Sequence, residues 1–305
     1  MMNGRRQLDF VQVDVFTETP FTGNPAAVVL NADHIREETM VKIAGEMNVR
    51  ETVFVYSSDK ADFRLRYMSP KSEIDFSGHA TIAAFLALYD EGQIELRSDV
   101  TTMSLETRNG ILYVEIVKNE TTGLHEVQIT HDRPKFLETY DPKDYADALG
   151  LSLADILSPN PLQTVSTGTP HLIIPLSTQR SLDRVKPDWS KLETLHEAGD
   201  YASISVFTRD VREETSDAQV RHFAPAIGVP EDPVSGSAAG SLGAYILQYG
   251  LMDPTYPVTS IVLEQGHYVG RPGRIFVEVR GDQEGIEQIK VGGRGVPVLR
   301  GKVYV

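Results

Sequence analysis

Two short phrases join small residues to a titratable neighbour. Ser77-Gly78-His79-Ala80 carries its histidine inside, and Ser235-Gly236-Ser237-Ala238 follows Asp232-Pro233-Val234. Each opens an apolar run: no Asp, Glu, Lys or Arg occurs from Ser77 to Tyr89 or from Pro233 to Met252. A helix that is apolar all round is buried on all sides. Its first-turn amides have no intrahelical partner, and small residues leave room for a ligand to reach them. Two such N-termini suit a carboxylate, with Ser77 and Ser235 as expected N-caps. His79, in the first turn, is favoured neutral by the helix dipole and can donate to or accept from a bound molecule. The plainer alternatives stand beside this reading. Gly and Ser also cap helices that bind nothing, and Asp232 also serves as an ordinary helix-start acid.

The elements around these phrases follow from periodicity. Val11, Val13 and Val15 alternate with polar residues as in a half-buried strand, and Ala26–Leu30 reads as the next strand after the turn Gly23-Asn24-Pro25. Met40, Ile43, Ala44 and Met47 have helical spacing over Glu37–Met47, and Glu51-Thr52-Val53-Phe54-Val55-Tyr56 starts a strand with Glu51 at its mouth. Phe63, Leu65 and Tyr67 alternate with arginines, and Thr101–Lys118 is a hairpin with Asn109-Gly110 at its tip. Further strands are expected near His171–Leu176, Ala202–Thr208, Val220–Phe223, Ser260–Glu264 and Arg274–Val279, with a polar helix near Lys191–Ala198. Gly292-Gly293-Arg294-Gly295 reads as a tight turn before a last strand.

The chain repeats itself. Gly23-Asn24-Pro25-Ala26 is echoed by Gly168-Thr169-Pro170-His171, Arg66-Tyr67-Met68-Ser69-Pro70 by Arg221-His222-Phe223-Ala224-Pro225, and Ser77-Gly78 by Ser235-Gly236. The offsets are 145, 155 and 158 residues, so two related halves are expected, the second with longer loops. The Pro- and Asp-rich text at 131–145 marks the expected boundary.

Composition narrows the function classes. The 305 residues carry 29 basic and 43 acidic side chains, a formal charge of −14, which argues against a nucleic-acid partner. No cysteine is present, which removes disulfides, thiolate metal sites and thiol catalysis. The eight histidines include no close pair at metal-ligand spacing on one helix, and no phosphate-binding glycine motif appears. No window reaches the roughly 18 apolar residues of a membrane span, so a soluble cytoplasmic protein is expected.

Gly23-Asn24-Pro25-Ala26, Glu46-Met47-Asn48 running to Glu51-Thr52-Val53-Phe54, Ser77-Gly78-His79-Ala80-Thr81, Glu231-Asp232-Pro233-Val234-Ser235-Gly236-Ser237-Ala238-Ala239-Gly240 and Glu264-Gln265-Gly266 occur in family order. Together they resemble the phenazine-biosynthesis (PhzF-like) isomerases. The resemblance implies the α+β diaminopimelate-epimerase fold: two similar domains, each an antiparallel, barrel-like sheet around a central buried helix, with the site between them. Residues 1–130, rejoined by 296–305, are expected to form one domain and 131–295 the other, with central helices from Ser77 and Ser235. Where the epimerases of this fold place cysteines, this chain has Ser77 and Ser235, so two-thiol chemistry is closed to it. The resemblance implies that Glu51 is the general acid/base, assisted by His79 and Asp232. Asn24, Ser77, Gly78, Gly236 and Ser237 would bind substrate, the amides near the two glycines cradling its carboxylate. The implied reaction moves a proton between carbons of a small cyclic amino or hydroxy carboxylate, such as a 2,3-dihydro-3-hydroxyanthranilate, without cofactor or metal. A homodimer is the family expectation. Two alternatives remain open: an epimerase or racemase working without thiols, and a silent carboxylate-binding protein.

Overall fold

The computed structural model describes residues 6–96, 98–118, 123–225 and 228–305. They begin with β1 (Gln7–Val15), β2 (Asn24–Val29), α1 (Glu37–Met47), β3 (Glu51–Tyr56), β4 (Phe63–Met68), β5 (Glu73–Ile74), α2 (Gly78–Asp90), β6 (Val100–Thr107), β7 (Gly110–Lys118) and β8 (His125–His131). Next come β9 (Lys135–Tyr140), α3 (Pro142–Ala148), β10 (Leu162–Ser166), β11 (Pro170–Pro175), α4 (Gln179–Arg184), α5 (Trp189–Glu197), β12 (Ser203–Thr208), β13 (Ala218–Ala224) and β14 (Val229–Asp232). The chain ends with α6 (Gly236–Gln248), β15 (Val258–Gln265), β16 (Gly273–Asp282), β17 (Gly285–Gly293) and β18 (Gly295–Tyr304). It divides into two compact units, Met1–Ile129 with Gly292–Val305, and Thr130–Val291. Among the described residues no helix is long and apolar enough to cross a membrane.

In the first unit the strands neighbour one another in the order β18–β1–β2–β3–β4–β6–β7–β8. The sheet is mostly antiparallel, but β2–β3 and β4–β6 are parallel. Parallel neighbours need a crossover, and here the crossovers contain α1 and α2. That is why α2 is central: it leaves one strand, crosses the sheet and returns to another. Its residues from His79 through Leu88 are buried without a break, as a run without charge requires. Ser77 caps it, accepting from the Ala80 amide.

The second unit uses the same plan, β9–β10–β11–β12–β13–β15–β16, with β11–β12 and β13–β15 parallel. The first crossover contains α4 and α5, and the second contains α6. Register turns the sequence repeat into residue equivalences. Ala26 lies level with Glu51 and His171 level with Ser203, so Ser203 occupies in this unit the place of Glu51. Ile74 lies opposite Tyr67 and Asp232 opposite His222, so Asp232 occupies the place of Ile74.

The expected turn at Gly292–Gly295 narrows to the single residue Arg294, since Gly292 and Gly293 end β17 and Gly295 starts β18. These glycines are needed for close packing: a Cβ on Gly293 would lie 2.3 Å from the Phe16 ring, and one on Gly295 2.7 Å from Leu86.

Two histidines in the second unit give it a pH dependence. His171 is buried with Nδ1 2.6 Å from Ser203 Oγ, and His131 Nδ1 lies 3.1 Å from Thr167 Oγ1 where Gly240 leaves room. Burial pushes His131 down to about 4 and His171 down to about 3. Both lie below the ordinary histidine value of about 6.5, so the unfolded chain takes up the extra protons first. The stability these neutral rings confer is complete above about pH 6.5 and is lost as pH falls toward the folded-state values. Each histidine is expected to cost about 1 kcal/mol per pH unit in that window. Urea denaturation at about pH 7 and about pH 5 should show the loss, and His131→Gln should flatten it.

Candidate active site

In the first unit β3 presents Glu51 to the first turn of α2. The carboxylate is buried, and Ser77 Oγ donates a hydrogen bond to Glu51 Oε2. His79 Nδ1 lies 3.4 Å from Glu51 Oε2 and 3.4 Å from Ser77 Oγ. The Ser77 hydroxyl already donates to Glu51, so the imidazole interacts best by donating from Nδ1 as well, which leaves Nε2 with the lone pair. Arg50 Nε is 3.5 Å from Glu51 Oε1, on the side away from Ser77.

A second layer holds this group. Thr81 Oγ1 donates to the Ser77 carbonyl at 2.7 Å and takes the proton of Tyr67 Oη at 2.7 Å. Burial, then the nearby Glu51 charge, pushes the Tyr67 phenol above its ordinary range, so it stays a neutral donor. Asn24 is buried at the start of β2, two residues before Ala26, the residue level with Glu51. A Cβ on Gly78 would meet nothing within 4 Å, so the first-turn backbone of α2 faces open space.

In the second unit Asp232 is buried at the end of β14. Its carbonyl accepts from Gln265 Nε2 at 2.9 Å, and the Ser235 amide donates to Gln265 Oε1 at 3.3 Å. Ser235 departs from its expected role, for its side chain makes no capping bond and lies 3.4 Å from Ser237 Oγ instead. The two serines should therefore differ in stability. Ser77→Ala removes both the cap and the donor to the buried Glu51 carboxylate and is expected to cost about 2–4 kcal/mol in urea denaturation, and Ser235→Ala distinctly less.

The profile of the family described as Phenazine biosynthesis-like protein matches residues 13–301. The chain belongs to the phenazine-biosynthesis (PhzF-like) isomerase family. A PhzF-family phenazine biosynthesis protein of Bacillus anthracis has a similar structure, with a TM-score of 0.89 at 32% identity over 98% of this chain and 100% of that one. An uncharacterized isomerase of Clostridium acetobutylicum is 34% identical over 98% of this chain and 99% of its own. The trans-2,3-dihydro-3-hydroxyanthranilate isomerase of Pseudomonas fluorescens is 29% identical over 97% and 99%. The two halves wrapped around helices are thus the fold of the PhzF-like family.

Against this family background the first unit brings Glu51, Ser77 and His79 together, and the second brings Asp232, Ser235 and Ser237 together. Sequence reading passed over Arg50 and Gln265, although each stands beside or within a phrase it singled out. Among the described residues one group has metal-ligand composition, Glu213, Glu264 and His267. Glu264 is fully buried and accepts from the Arg212 and Glu213 amides, and Arg274 lies 3.7 Å from Glu213. Backbone donors and a cation thus already serve its carboxylates.

Proposed function

We propose that this PhzF-like protein is a cofactor-independent isomerase of a small cyclic amino or hydroxy carboxylate. The substrate class follows its Pseudomonas fluorescens relative, named for trans-2,3-dihydro-3-hydroxyanthranilate. The observation that carries the reading is the buried Glu51 carboxylate, held by Ser77 beside His79, whose place in the second unit is taken by Ser203. One acid–base group, used twice, suits a proton shift better than inversion by two opposed bases.

In the first step Glu51 takes a proton from a ring carbon, the C–H electrons enter the π system and the double bond moves. In the second, the same carboxyl returns its proton to another carbon, so atoms and electrons balance without oxidant or reductant. His79 and Asp232 hold the amine and hydroxyl of the substrate, and the first-turn amides at Gly78, Gly236 and Ser237 bind its carboxylate. Asn24 belongs with this binding set. Ser77 acts through Glu51, since its proton is already committed there.

Incubation in D2O with trans-2,3-dihydro-3-hydroxyanthranilate and a panel of cyclic and linear amino and hydroxy acids tests the reading by NMR. Deuterium on carbon with a moved double bond supports it. Deuterium with inverted configuration makes the protein an epimerase, and binding without exchange across the panel makes it a carboxylate binder.

A further inference from the structure

We propose that Gln265 is a positioning residue that sets the loop carrying Asp232 and the start of α6; this rests on the reading that Asp232 engages the substrate. Gln265 is buried at the end of β15, level with Val220 of β13. Its amide group spans the loop between β14 and α6. The Nε2 donates to the Asp232 carbonyl at 2.9 Å, and the Oε1 accepts from the Ser235 amide at 3.3 Å. One planar group thus holds both ends of Asp232-Pro233-Val234-Ser235. The next residue completes the grip. Gly266 has φ +89, and a Cβ there would lie 2.8 Å from the Pro233 carbonyl and 2.1 Å from that of Arg271, so only glycine lets the loop approach so closely.

The first unit shows that the fold does not need this device. Arg66 and Arg221 are equivalent, Phe63 lies level with Leu105, and Ala218 lies level with Leu263, so Thr107 occupies the place of Gln265. Thr107 spends its hydroxyl on its own hairpin, donating to the Gly110 carbonyl at 3.0 Å and accepting from the Asn109 amide at 3.2 Å. That unit still builds the same strand-to-helix junction. What the second unit adds is Asp232 in place of Ile74, and the glutamine accompanies it. The bridge also consumes the Ser235 amide, which leaves the amides from Gly236 onward for a ligand carboxylate.

Gln265→Met keeps the length and removes both hydrogen bonds, whereas Gln265→Glu keeps the acceptor for the Ser235 amide and removes the donor to Asp232. Both are checked for folding by circular dichroism and thermal denaturation, with Asp232→Asn as a control for the site. Expected for a folded Gln265→Met are hydrogen exchange of the Ser235 amide faster by about tenfold or more, weaker binding of 3-hydroxyanthranilate, and kcat/KM for the dihydro substrate down by about tenfold or more. Gln265→Glu should keep the Ser235 amide protected while losing activity. Wild-type activity and binding in a folded Gln265→Met overturn the proposal, as does failure of both variants to fold, which makes the residue structural. Full activity in Asp232→Asn instead overturns the functional reading, and the Ser235 exchange rate still reports the clamp by itself.

Discussion

Glu51→Gln is expected to bind ligand and fold normally while incorporating no carbon-bound deuterium above background. Glutamine has the same reach, and its carbonyl oxygen still accepts the proton of Ser77, so the contact that organises the first turn of α2 survives. The charge lost is the partner of Arg50, whose Nε sits 3.5 Å away on a side chain 24% exposed, so the cation left behind keeps some contact with solvent. Lost with the carboxylate is the group proposed to take a proton from carbon and give it back. General acid–base groups contribute roughly 10²–10⁴-fold, and here one group serves both half-reactions, so the loss belongs at the upper end. Glu51→Asp tests position separately from chemistry. It keeps the carboxylate but withdraws it by one methylene, and misplacement on the order of 1 Å costs roughly 10²-fold. Activity within tenfold of wild type in Glu51→Gln would sink the assignment.

What was legible in the sequence came from patterns that burial imposes locally. The helix at Glu37–Met47 shows its periodicity because one face meets the core at Met40, Ile43 and Ala44. The absence of charge from Gly78 to Tyr89 of α2 and throughout α6 reflects burial on every side. Other elements left no such mark. β9 alternates only weakly, with no buried residue along Lys135–Tyr140, so its text looked like a polar boundary. The parallel pairs were invisible because direction depends on where a crossover returns, not on strand composition. The candidate site was legible as a set of phrases, but the bond from Ser77 to Glu51 joins residues 26 apart whose meeting depends on register. Gln265 was harder still. A glutamine at a strand end looks like any polar residue until the loop it spans is folded.

Arg221→Met is expected to destabilise the protein by about 3–5 kcal/mol, although it lies outside the apolar core. The Arg221 guanidinium is 10% exposed and binds Glu231 through both arms, Nε at 3.0 Å and Nη2 at 2.8 Å. Its Nη1 donates to the Val185 carbonyl at 2.8 Å, and the group lies 4.3 Å over the Tyr268 ring. Removing it strands the Glu231 carboxylate, which is 14% exposed and next to Asp232. Removing both partners removes the stranded charge, so Arg221→Met with Glu231→Leu should recover a large part of the loss, short of the orphaned carbonyl at about 1–3 kcal/mol. The first unit supplies the control. Its equivalent pair, Arg66 with Glu73, is also two-armed, with both bonds at 2.7 Å. There the arginine is 21% exposed and also binds Glu37, which is 61% exposed. Glu73 itself is 11% exposed, but Arg108 Nη1 lies 4.0 Å from its Oε2 and still faces the carboxylate after Arg66→Met. That variant should therefore lose distinctly less stability than Arg221→Met, and equal losses in urea denaturation would mean that the second cation does not set the difference. The chain repeats one brace in two settings, and only in the second does that brace adjoin a buried aspartate proposed to hold substrate. Arg221→Met should accordingly lower activity as well as stability, whereas the double variant should regain stability before it regains activity.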